Sequence, residues 1–184
     1  MRTTDGEQTE AGAAVRKATE EDLARLAEIR NTPALFAEYL ADAAAGKAFF
    51  LVYLRDRRIV AFARLKMPTS ESVEAGKKRA LISDLWVAED ARGRGTGTDF
   101  IHRIEGMARG LGYRDLYLGV DPCADSRAFA LYRRLGYKAI QAQPYRTTGV
   151  FCDASGTGRV RKEYLRLDMV KDLSAPHPGD TAPD

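Results

Sequence analysis

Cysteine is scarce, and the two that occur, Cys123 and Cys152, give neither metal-ligand spacing nor a disulfide framework. Both read as free thiols, which suits a cytoplasmic protein. Histidine is as scarce. His102 falls off the apolar stripe of its helix pattern and His177 lies in a polar tail, so neither marks a catalytic position and no metal is expected. No run approaches the ~18 consecutive apolar residues of a membrane span. Met1 to Gly12 is polar and carries acids; it lacks the basic, apolar, small-residue order of a secretory signal. Charge of one sign is not in large excess either. The 29 Lys and Arg against 26 Asp and Glu leave +3, too little to imply nucleic acid. Internal repeats are absent. The expected partners therefore include neither nucleic acid nor membrane.

What is there is ordinary for a soluble globular chain: 184 residues, 45% apolar and 30% charged. That length fits one domain with a real core, here residues 13–173. Residues 1–12 and the Pro- and Gly-containing 174–184 read as disordered ends. The basic residues are unevenly spread. Arg133 to Arg166 holds eight of them (Arg133, Arg134, Lys138, Arg146, Arg159, Arg161, Lys162, Arg166) with only two acids, Asp153 and Glu163. A solvated face explains such a run; so does a positive field beside a polyanionic cofactor or an acidic substrate.

Periodicity organises the rest. Val15–Ala18 reads as a short strand, and Thr19 caps a helix with Glu20, Glu21 and Asp22 in its acidic first turn. Thr32-Pro33 opens a second helix pattern that Gly46 ends. Ala48–Leu54 and Ile59–Leu65 flank a polar turn and suggest an antiparallel hairpin. A loop, Met67–Lys78, leads to a fourth strand, Ala80–Val87. A long helix from about Gly97 to Gly110 follows, with Gly112 as its stop, then a strand at Asp115–Val120. Asp125 or Ser126 caps a helix carrying Ala128, Leu131, Tyr132 and Leu135, and Gly136 ends it. Strands at Tyr137–Ile140, Thr148–Cys152 and Val160–Met169 complete the chain. The order predicts an α/β (α+β) fold: a mixed sheet of about seven strands flanked by about four helices, with a strand–helix–strand crossover.

The crossover contains the most informative residues, Arg92-Gly93-Arg94-Gly95-Thr96-Gly97-Thr98. Strand, Gly-rich turn and helix start together aim backbone N–H groups at an anion, and the helix dipole adds roughly half a positive charge. Glycine permits positive φ and close approach; Arg92 and Arg94 can add charge-assisted hydrogen bonds. These residues read as a diphosphate cradle, although a Gly-rich loop that merely turns the chain has the same composition. A P-loop would need a following Lys, and a dinucleotide fingerprint would need a third glycine after Gly97; both are missing.

Arg92-x-x-Gly95-x-Gly97 matches the Gln/Arg-x-x-Gly-x-Gly/Ala signature of the GCN5-related N-acetyltransferases. Downstream, Asp125-Ser-Arg-Ala128-Phe-Ala-Leu131-Tyr132-Arg-Arg-Leu-Gly136-Tyr137 resembles that family's second signature, with Asp for the usual Asn. The resemblance spans roughly Val15–Leu173. It implies a central twisted sheet whose fourth and fifth strands splay apart, and acetyl-CoA as acyl-donor cosubstrate. The diphosphate would sit on Gly93 to Thr98, beside Arg92 and Arg94. Pantetheine would pair with the backbone of Leu85, Trp86 and Val87. Trp86 alternates with its neighbours and would border the acceptor site, or else be a core aromatic.

The resemblance makes Tyr132 the proton donor to the departing thiolate; without it, a Tyr on an apolar helix face is a core residue. The substrate amine needs the opposite help. An alkyl amine of pKa about 10.4 is neutral only about once in 2,500 molecules at pH 7. Asp84, on the fourth strand, is the candidate base, with an internal salt bridge as the alternative. The resemblance also implies that Asp125 holds the splayed fifth strand or contacts pantetheine as part of the cofactor site, although Asp cannot donate as Asn does; it can still cap a helix. The acceptor would be an amine-bearing small molecule or a protein or peptide amine, and a homodimer is allowed. Two competing readings are a non-catalytic acyl-CoA sensor of the same fold and, from the basic stretch, a nucleic-acid binder.

Overall fold

The computed structural model describes residues 12–68, 79–153, 155–156 and 158–174. The expected disordered ends lie almost wholly outside these, as does most of the loop after Met67. Eight strands occur among the described residues: β1 (Ala13–Lys17), β2 (Ala48–Arg55), β3 (Arg58–Lys66), β4 (Ala80–Val87), β5 (Asp115–Val120), β6 (Lys138–Ala139), β7 (Tyr145–Cys152) and β8 (Arg159–Asp172). Four α-helices accompany them: α1 (Leu23–Ile29), α2 (Pro33–Ala44), α3 (Thr96–Gly110) and α4 (Ser126–Arg134). The sheet runs β1-β2-β3-β4-β5-β8-β6, with β7 paired to the free part of β8. Only β4 and β5 pair in parallel, because the α3 crossover joins them. This is the mixed α/β architecture read from the sequence, with eight strands instead of about seven.

Local signals explain most boundaries. The Thr19 backbone N–H donates to the Asp22 carboxylate at 2.8 Å, closing a capping box over a 3-10 turn that leads into α1. Pro33 opens α2. Asp56 and Arg57, both at positive φ, make the tight β2–β3 turn. The last hairpin is longer than the expected strands at both ends. Apart from the buried Leu167 and Met169 its residues are exposed or half-buried, so hydrophobicity alone does not mark its limits.

Helices cover both faces. On one, Leu26, Phe36 and Tyr39 pack on Phe50, Val52 and Phe62, with the Phe36 and Phe62 rings edge-to-face at 5.1 Å. On the other, Phe100, Ile101, Ile104 and Ala108 of α3 pack with Leu116, Leu118 and Met169. No helix among the described residues is long and apolar enough to cross a membrane.

Two irregularities in β4 place the site. Its ladder with β5 has three pairs, ending at Ile82–Leu118. Beyond that point the two strands part. On the other side, Phe62 faces Trp86 but Arg64 faces Ser83, so the single residue Ala63 opposes both Asp84 and Leu85. This is a β-bulge, and Asp84 carries it at φ 51, a left-handed conformation that Asp tolerates better than most residues.

Among the described residues one charged side chain is fully buried. Glu105 of α3 is 0% exposed and accepts from Lys171 Nζ of β8 at 2.7 Å. The pair ties the helix to the end of the longest strand. Removing one partner of a buried pair strands the other charge at a cost of about 3 kcal/mol. Glu105→Gln should lower unfolding stability by about that amount in urea titration, and Glu105→Leu combined with Lys171→Met should recover much of it. A Glu105→Gln protein as stable as the parent would remove this pair from the account of the fold.

Candidate active site

The Gly-rich turn, the expected anion cradle, opens the N-terminus of α3. Gly93 and Gly95 have φ of 70 and 78, and Gly95 is the N-cap of α3 without a side-chain cap bond. The first-turn N–H groups of that 15-residue helix have no intrahelical acceptor. A Cβ on either glycine would meet nothing within 4 Å, so the space above them is open. Gly97 differs: it is helical, and a Cβ there would lie 3.3 Å from Leu131 Cδ2 and 3.9 Å from Val87 Cγ2. It is small so that α4 can pack on the start of α3. The Thr96 hydroxyl is used internally, donating to the Ala91 carbonyl at 2.8 Å, so Thr96 offers only its N–H outward. Arg92 turns back: its Nε donates to the Val87 carbonyl at 2.9 Å and its guanidinium lies 5.5 Å from the Trp86 ring centre.

The open end of β4 adjoins this cradle. The bulge turns Leu85 and Val87 toward the α3 core, where both are partly buried. Trp86 faces the α1–α2 side, 37% exposed, with Arg30 5.0 Å from its ring centre. It is therefore not a core aromatic. Asp84 is held on the same side by two partners: Arg30 Nη1 donates to Oδ1 at 2.5 Å, and the Tyr39 hydroxyl donates to Oδ2 at 2.6 Å. Burial, and then the Asp84 charge, push the Tyr39 hydroxyl well above the ordinary tyrosine range, so it stays a donor.

Tyr132 lies on α4, 7% exposed, its ring 6.0 Å from that of Tyr137. Burial, and then the Asp125 charge, push its hydroxyl up to about 12. Asp125 caps α4, its Oδ1 accepting from the Ala128 N–H at 3.2 Å. The substitution of Asp for Asn thus keeps the helix start.

The face of the sheet bearing Asp84 and Trp86 has a second wall. β8 leaves β7 at Arg166, opposite Tyr145, and joins β5 at Leu167, opposite Val120. At that switch Arg166 Nε donates to Asp168 Oδ1 at 2.6 Å, and Tyr145 donates to Asp168 Oδ2 at 2.8 Å. The Arg166 guanidinium covers Gly119 so closely that a Cβ there would lie 2.5 Å from its carbon. Sequence reasoning did not link Tyr39, Gly119, Arg166 and Asp168 to this face. They come from α2, β5 and β8, which lie far apart in the chain. Of the basic run, Arg146, Arg159 and Arg166 are ion-paired, to Glu163, Glu38 and Asp168. Among the described residues, no cluster of three or more His, Cys, Asp or Glu is placed to hold a metal.

Comparison with known proteins places this arrangement. The chain resembles an N-acetyltransferase from Staphylococcus aureus at 19% identity, over 88% of this chain and 98% of that one, with a TM-score of 0.66. It resembles a ribosomal-protein-alanine N-acetyltransferase from Brucella melitensis at 21% identity, over 86% and 99%, with a TM-score of 0.65. A putative acetyltransferase from Salmonella typhimurium, solved with its cofactor acetyl-CoA, matches at 18% identity over 92% and 99%, with a TM-score of 0.62. At these identities the likeness is one of fold. No curated protein matches the sequence. The model of the acetyltransferase (GNAT) family, however, matches residues 14–137, which include the bulged β4, the cradle, α4 and Tyr132, and so the chain belongs to the acetyltransferase (GNAT) family.

Proposed function

We propose that this protein is an acetyl-CoA-dependent N-acetyltransferase that passes an acetyl group directly to a primary amine within a ternary complex. The observation that carries the reading is the unpaired edge of β4 after Ile82, running straight into the open N-terminus of α3. An extended, amide-rich arm can add to such an edge as a strand does, and a diphosphate fits a helix N-terminus whose glycines leave open space. When bound, acetyl-CoA supplies the acetyl group as a thioester. The diphosphate would be held by N–H groups from Gly93 to Thr98, with Arg94 and Arg92 as cations beside it. The backbone of Leu85, Trp86 and Val87 would hold the arm, and an N–H near Val87 would stabilise the developing oxyanion.

Tyr132 is the proposed general acid. An acid must hold its proton until the leaving group needs it. A hydroxyl pushed up to about 12 by burial does so at neutral pH and well above it. Asp84 is the proposed acceptor of the amine's proton, directly or through water, with Arg30 and Tyr39 holding the carboxylate in place. Solved structures named as N-acetyltransferases, and a putative acetyltransferase solved with acetyl-CoA, support the reaction class.

Three variants test the parts separately. Replacing Gly95 with Val forces a β-branched residue to φ 78 and fills the open space. Calorimetry should show CoA binding lost while the thermal transition remains cooperative; parental affinity would rule out the cradle.

Tyr132→Phe should keep CoA affinity and lower turnover at saturating substrates by roughly 10²–10⁴-fold. An unchanged rate constant would leave Tyr132 as a packing residue.

Asp84→Asn should depress turnover most near neutral pH, with the deficit shrinking as pH rises and the amine loses its proton unaided. A variant whose pH profile runs parallel to the parent's would show that Asp84 only positions Arg30 and Tyr39.

A further inference from the structure

The α1–α2 face beside Asp84 gathers charges from five parts of the chain. Arg30 follows α1, Asp42 lies on α2, Arg64 and Lys66 on β3, Asp84 on β4, and Arg166 and Asp168 on β8. Each arginine has its own acid: Arg30 with Asp84 at 2.5 Å, Arg64 with Asp42 at 2.5 Å, Arg166 with Asp168 at 2.6 Å. Asp42 is also shared with Lys47 at 3.9 Å. Lys66 is the exception. Among the described residues no carboxylate lies within ion-pair distance of it. It follows Arg64 by two residues on β3, so it lies on the same face of the sheet, where its side chain is exposed. The three pairs cancel and the cleft keeps a positive surplus.

The cleft is also bounded. The turn between β7 and β8 rests on the α1–α2 connection, where a Cβ on Gly156, at φ 75, would run into the Asn31 carbonyl oxygen. Arg159 of β8 pairs with Glu38 of α2 beside that contact. The two walls therefore meet at their tips, which leaves room for a small acceptor better than for a protein surface.

Resting on the transferase reading, we infer that the acceptor is a small amine that carries its own carboxylate, an amino acid or close analogue, with Lys66 as the group that binds the carboxylate. The surplus attracts the carboxylate of such a molecule to Lys66, which has no carboxylate partner among the described residues. Arg30, Arg64 and Arg166 have their donors directed at Asp84, Asp42 and Asp168.

Binding of the protein amino acids and their carboxamides to the CoA-saturated protein, and their turnover with acetyl-CoA, test this. Calorimetry should show at least one free acid bound more tightly than its amide by about tenfold or more, the scale of a hydrogen bond to a charged group. The same acid should be acetylated with the lower KM. Lys66→Met should abolish the preference in both readouts with CoA affinity unchanged, and Lys66→Arg should restore it. Amides, polyamines or peptides preferred over free acids, no binding of any acid, or an intact preference in Lys66→Met would each overturn the inference. Acid binding that depends on Lys66 without acetyl transfer would uphold the subsite and overturn the transferase reading instead.

Discussion

Beyond Ile82 and Leu118 the β4 and β5 backbones share no ladder, and this break governs the rest of the molecule. A sheet interior normally satisfies every N–H and C=O within itself. Here one strand is left with a free edge in the middle of the sheet. The break is tolerated because both faces are closed elsewhere: α3 and α4 pack behind it, and β8 rejoins β5 immediately beyond. Small residues make the closure possible. Gly97 lets Leu131 approach the start of α3, and Gly119 lets the Arg166 guanidinium lie flat on β5.

The bulge at Asp84 is the companion of that break. Inserting one extra residue reverses which side chains face which layer for the remainder of β4. Leu85 and Val87 go to the α3 core, and Trp86 is turned out beside Arg30 and Arg92. Asp84 itself, at φ 51, is anchored by Arg30 and Tyr39. Those two bonds join the strand to the α1–α2 layer. They offset the cost of a left-handed residue and of a partly desolvated carboxylate. The strain is local, and it lies where the strand edge is open.

The charges follow one rule on this face. The arginines of the cleft are each matched by an acid, Arg30 and Arg64 by one from another element and Arg166 by Asp168 of its own strand, which compensates their desolvation. The pairs also act as struts: Arg64–Asp42 ties β3 to α2, and Arg30–Asp84 ties the end of α1 to β4. Among the described residues of this face, Lys66 is the cation left without a carboxylate partner.

Local chemistry alone determined a good part of this. Pro33, Gly112 and Gly136 mark helix ends because backbone geometry at those positions depends on the residue itself. The Gly-rich turn at the start of α3 was legible because Gly93, Gly95 and that helix start are contiguous, and the place of Tyr132 on α4 because it shares one short segment with Asp125 and Gly136. Only the tertiary structure decided the bulge, which depends on the register of β4 against β3 and leaves no mark on alternation. It alone decided that Asp84 is ion-paired, since Arg30 and Tyr39 reach it from 54 and 45 residues away. It alone decided that β8 switches partners at Arg166, and which charges in the cleft are matched. Contacts of that kind are set by packing between distant segments, and no periodicity within a single segment encodes them.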